Sequence, residues 1–132
     1  MDIPKNESSF TLDYIGETTG QKYDGTFTVR TALTMGQKHI LELEKSKLLA
    51  DFINPTQELA GIALILSNLR VKIISAPSWW DQSSGGLSIM DEDVLVELYK
   101  KTIEKEIEWR EALKNKGAKA AAAKEDPTGP NS

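Results

Sequence analysis

Gly16-Glu17-Thr18-Thr19-Gly20-Gln21-Lys22 combines the glycines, hydroxyls and lysine with which a loop can cradle phosphate. A phosphate-binding loop must end in Gly-Lys-Ser/Thr and open a helix, so that backbone N–H groups and the helix N-terminus hold the anion together. Here the spacing fails and a strand pattern follows, so the segment reads as a turn. Asp91-Glu92-Asp93 offers three carboxylates in a row. A calcium loop needs its oxygens at alternating positions, a mid-loop glycine and a closing glutamate. Consecutive acids at the start of a helical pattern instead suit the positive end of a helix dipole. His39 is the only histidine and has no cysteine or carboxylate constellation around it, so it reads as a solvated helix residue. Ser83 and Ser84 lack the Gly-x-Ser-x-Gly elbow that presents a nucleophile. The expectation is a non-enzymatic protein with no catalytic, cofactor or metal site. A carboxylate-only hydrolase is the one catalytic arrangement left open.

The elements that carry these residues fit one domain. The chain has 132 residues, enough for a single core without staples, and no cysteine, which rules out disulfides and thiolate metal sites. A net charge of −4 shows no basic face for phosphate backbones, so nucleic acid is not an expected partner. The longest apolar run, Leu59 to Leu66, is too short to span a bilayer, and the first residues have no apolar signal core. A soluble, cytoplasmic protein is expected.

Residues 1–8 read as a flexible N-terminus, 9–117 as one α+β domain and 118–132 as a flexible C-terminal tail. Phe10, Leu12 and Tyr14 alternate with polar residues, as do Tyr23, Phe27, Val29 and Thr31, which gives an antiparallel hairpin. Asp24-Gly25 would be a bulge or a second turn within it. Thr34 with Gln37 has capping-box spacing. It opens a helix running to about Phe52, before Asn54-Pro55. Thr56 caps a second helix, apolar on nearly every side from Leu59 to Leu69. Residues 71–76 fit either its continuation or a short strand. Asp81 to Gly86 reads as a flexible loop, and Met90-Asp91 as a staple and cap. A long third helix runs from about Asp91 to Lys116 with Gly117 beyond it. Val96, Tyr99, Ile103 and Ile107 form its stripe with Leu95, Leu98 and Trp109 beside it, and Glu97–Lys101 and Glu106–Arg110 are its ion pairs. The hairpin must pack on this bundle of about three helices, because a lone hairpin is marginal in water.

Two of the three tryptophans, Trp79 and Trp80, stand side by side just after Pro77. Adjacent indoles diverge in either regular structure, so they bridge two surfaces. Either one is buried and the other faces a partner, or both are structural. Tryptophan's prominence at binding hot spots favours the former. The candidate partner surface is Pro77, Trp79 and Trp80 together with Ile62, Ile65 and Leu69 of the apolar helix. The apolar width of the long helix also suggests a homo-oligomer.

The Tyr-Asp-Gly-Thr-Phe-Thr-Val-Arg strand at Tyr23 to Arg30 leads into a capped helix. It is followed by an apolar helix, the Ala-Pro-Ser-Trp-Trp turn, a Gly-Gly-Leu loop and an acidic-capped helix bearing Glu97-Leu98-Tyr99. From Tyr14 to Leu113 this pattern resembles small proteins encoded among the structural genes of tailed bacteriophages. It is most similar to tail assembly chaperones. The resemblance implies a small α+β or mainly helical protein of the host cytoplasm that binds the tape-measure protein or tail-tube subunits during virion morphogenesis. A virion component, such as a head decoration or neck/connector protein, fits the same pattern.

Overall fold

A computed structural model describes residues 6–50 and 52–124, with side chains as far as Asn115. The fold is α+β, an N-terminal antiparallel sheet packed on helices of which the last is long. Of the ends expected to be flexible, 1–8 and 118–132, Glu7 and Ser8 belong to a strand and 118–124 to the last helix, while residues 1–5 and 125–132 lie outside the described residues.

Strands β1 (Glu7–Ile15) and β2 (Lys22–Arg30) pair antiparallel in unbroken register, with Phe10 opposite Phe27 and Leu12 opposite Gly25. The alternation expected of the hairpin is the alternation observed. Phe10, Leu12, Tyr23, Phe27 and Val29 are buried. Ser9 and Thr11 meet Thr28 and Thr26 hydroxyl to hydroxyl on the exposed face. Phe10 and Phe27 stack across the strands with ring centres 5.4 Å apart. Asp24-Gly25 is neither a bulge nor a turn: both residues are ordinary members of the β1–β2 ladder. Gly25 sits at φ 137°, and any Cβ there would collide with the Pro77 ring. Proline fills the place where a core-facing side chain would have been.

Helix α1 (Met35–Leu49) begins with the expected capping box. The Gln37 amide donates to Thr34 Oγ1 at 3.1 Å, and the Thr34 N–H donates to Gln37 Oε1 at 2.9 Å. It ends at Leu49, several residues before the proline, which leaves Phe52 and Ile53 exposed rather than on its stripe. Helix α2 (Gln57–Lys72) is capped by Thr56, whose hydroxyl accepts from the Leu59 amide at 3.1 Å. Its apolar girth has a simple reason. Ala63, Leu66, Leu69 and Val71 are buried in a helix that packs against α1, α4 and strand β3. The ambiguous stretch after it divides. The helix runs to Lys72, and Ile73–Ser75 forms β3, which pairs antiparallel with β2 across an irregularity at Thr28/Val29.

Pro77 is the N-cap of a one-turn helix, α3 (Ser78–Asp81). Helix α4 (Glu92–Lys124) passes through Gly117, so that glycine does not stop it. Its buried stripe is Val94, Leu95, Leu98 and Thr102, whereas Val96, Tyr99 and Ile103 are half-buried and Ile107 is exposed. The expected stripe was therefore rotated, because the buried row includes Thr102, which donates to the Tyr99 carbonyl at 2.7 Å. Arg110 pairs with Glu106 as expected, but Lys101 meets Glu104.

Candidate functional site

The tryptophan corner is built into the fold. Trp80 is 6% exposed and belongs to the core with Phe27, Leu66, Val94 and Leu98. Trp79 is half-buried, edge-on to Tyr23 at 5.0 Å and to Phe27 at 5.5 Å, and its indole N–H donates to the Asp24 carbonyl at 2.8 Å. Pro77 packs on Gly25. Of the two indoles, Trp80 is the buried one and Trp79 the half-buried one, and both make contacts within the fold. Leu69, at 0% exposure, is core as well, while Ile62 and Ile65 are half-buried at its edge. The loop after Trp80 is pinned rather than loose. Ser83 is buried, its hydroxyl donates to the Trp80 carbonyl at 2.6 Å, and it accepts from the Gly86 amide at 3.0 Å. Gly86, at φ 91°, lies against Leu66 and Trp80 where a side chain would not fit.

Two segments read separately in the sequence turn out to be one site. Asp91 is fully buried, and its carboxylate enters the β1–β2 turn rather than capping its own helix. Its Oδ1 accepts from the Thr18 and Thr19 amides at 2.8 and 2.9 Å. Its Oδ2 accepts from the Thr19 and Tyr23 hydroxyls, both at 2.6 Å. Asp93 adds a bond from the Glu17 amide at 3.0 Å. The turn with a faint likeness to a phosphate loop does hold an anion, and the anion is the protein's own. Burial pushes the Asp91 carboxyl up, but the four donors outweigh it and hold the group at about 2. Gly16 is required because a Cβ there would overlap the Asp91 carboxylate. Burial, with the Asp91 bond next, pushes the Tyr23 phenol up. Met90, which was expected to staple this helix start, is 76% exposed. The turn and the acids were visible in the sequence; no spacing rule joins residues 72 positions apart.

Several hollows open among the helices of the described residues. One, about 570 Å³, contains Arg30 and Arg70. Both guanidiniums are engaged: Arg30 donates to the Val71 carbonyl, and Arg70 to the Gly85 and Ser84 carbonyls and to Glu44. A second, about 270 Å³, is an apolar groove lined by Ile62, Leu66, Leu87, Ile89, Met90 and Leu95. It contains one of the expected partner residues, Ile62, and two apolar side chains that solvent reaches freely. Leu87 is 59% exposed and Met90 76%. A third, about 450 Å³, lies among α1, α2 and α4 around Lys72 and Tyr99. His39 is exposed on α1, as expected. Among the described residues, no group of three or more His, Cys, Asp or Glu side chains is placed to hold a metal, and no helix is long and apolar enough to cross a membrane. Compared with known proteins, the chain matches no family model, no curated protein and no solved structure.

Proposed function

We propose that this protein is a non-enzymatic assembly chaperone of the phage-tail type, which holds an apolar segment of a partner such as the tape-measure protein or a tail-tube subunit in the host cytoplasm. The observation that supports this most is the groove between α2 and the start of α4. Leu87 and Met90 project into solvent around a floor of Ile62, Leu66 and Leu95. Clustered exposed apolar groups mark binding surfaces, and unbranched methionine adapts to varied apolar partners. In this reading the binding face is the rim beside the tryptophan corner.

Co-expression with the tape-measure protein should raise the soluble yield of that protein. Leu87→Glu combined with Met90→Glu should remove the gain without unfolding this chain, because both positions are exposed. An equal soluble yield with and without this protein would sink the proposal. A virion component is the second reading. It is favoured by α4, which runs to Lys124 and whose side chains from Ile103 to Asn115 are all at least partly exposed. Mass spectrometry of purified particles separates the two: a chaperone is absent, and a virion protein is present at fixed copy number.

A further inference from the structure

Lys72, the last residue of α2, is 4% exposed and lines the 450 Å³ cleft. Its ammonium lies 5.9 Å from the centre of the Tyr99 ring, and no carboxylate of the described residues lies within ion-pairing distance of it. The acids around the cleft are engaged elsewhere. Glu42 pairs with Lys45 at 3.2 Å, and Glu106 with Arg110 at 3.6 Å. Lys38 stands at the rim. The cleft therefore has a surplus of positive charge in a protein whose net charge is −4. A buried ammonium without a direct ion-pair partner is costly, and an anion that enters with it recovers much of that cost. The remaining walls are Leu41, Leu64, Tyr99 and Trp109, with the buried Asn68 beside them. Burial pushes the Lys72 ammonium below its ordinary value; Glu106 opposes this and Arg110 adds to it.

We propose that this cleft binds a carboxylate carried on an apolar or aromatic body, with the Lys72 ammonium as its counter-ion and Tyr99 and Trp109 against the body. A single buried ammonium suits a monoanion. A phosphate dianion would remain half-neutralised there, and a neutral ligand would leave Lys72 unpaired. The carboxylate comes either from a free small molecule or from a peptide, at its C-terminus or on an acidic side chain.

Titration of the full chain with 2-naphthoate, followed by amide and methyl NMR shifts, tests this. Shifts should centre on Leu41, Leu64, Lys72 and Tyr99, and 2-naphthamide, which has the same shape without the charge, should bind about tenfold more weakly or worse. Lys72→Met should abolish the naphthoate preference while its spectrum stays folded. Calorimetry in buffers of different ionisation enthalpy at alkaline pH should register proton uptake on binding, because the carboxylate restores the Lys72 charge in the presence of Lys38, Glu42, Tyr99, Glu106 and Arg110. A parallel titration with a short peptide ending in Phe-Glu identifies the source. Tighter binding of the peptide favours a protein ligand, tighter binding of naphthoate a small molecule, and either supports the site. Equal affinity for acid and amide, unchanged binding by Lys72→Met, or shifts located elsewhere would overturn it.

Discussion

Asp91 accepts four hydrogen bonds at 0% exposure, while Lys72, at 4% exposure, faces the Tyr99 ring with no carboxylate of the described residues within ion-pairing distance. Helix polarity does not distinguish them. Asp91 stands immediately before α4 and Lys72 ends α2, so each charge has the sign its helix end favours. The difference lies in the surroundings. The β1–β2 turn converges backbone amides and hydroxyls on the acid, whereas the walls around the base are Leu41, Leu64, Tyr99 and Trp109 with Glu42 and Glu106 paired to other cations. A buried charge with every lone pair engaged is part of the scaffold. A buried charge beside an open cleft is where the scaffold leaves room for something else.

The sharpest way to break the contrast is to spoil the satisfied charge. Asp91→Asn keeps the shape but turns an N–H₂ toward hydrogen-bond donors. Its melting temperature should fall by on the order of 10 °C, as expected when a buried network is broken. Gly16→Ala should approach the same loss by displacing the carboxylate. An unchanged melting temperature in both would show that the clasp does not hold the hairpin to α4.

Acid should dissolve the contrast from the same side. The Asp91 carboxyl sits at about 2, below its ordinary 3.8, so the folded state favours the charged form. That stability is complete above the unfolded value and is lost as pH falls from about 4 towards 2. Urea midpoints measured across this window should drop in the wild type and stay nearly flat in Asp91→Asn.

The smallest effect has the opposite sign. Lys72→Met should stabilise the protein by about 1 kcal/mol, because it relieves an uncompensated buried ammonium while keeping the packing of the stem. Lys72 is held below 10.5, so the unfolded chain binds more protons in the interval between the two values. Wild-type stability should therefore rise with pH there, and the advantage of Lys72→Met should shrink. Denaturation at pH 7 and near pH 10 checks both halves.

Local chemistry made much of the fold legible. The period-two runs at Phe10 to Tyr14 and Phe27 to Thr31 gave the hairpin, and Thr34 with Gln37 gave a helix start to the residue. Where distant segments decide the outcome, the sequence was silent. Gly25 looked like a turn residue because Pro77, which packs on it, lies 52 positions away. Thr102 hid the buried stripe of α4 because polarity, not periodicity, was the visible signal. The contacts of Trp79 with Tyr23, Phe27 and the Asp24 carbonyl join segments about 55 positions apart, which no local pattern displays. Lys72 was unremarkable in sequence, since nothing in a lysine following a valine reveals that three helices will enclose it.

The bond from Thr19 to Asp91 spans 72 positions in a chain that has no cysteine. It closes a long loop, a reversible counterpart to a crosslink, and loop-closure entropy grows so slowly with length that doubling such a loop costs only about 0.6 kcal/mol. The β1–β2 turn and the start of α4 are thereby tied to each other, and the chain between them, which carries Lys72 and the Ile62, Leu66, Leu87 and Met90 side of the apolar groove, is closed into a loop by a carboxylate that a proton can neutralise.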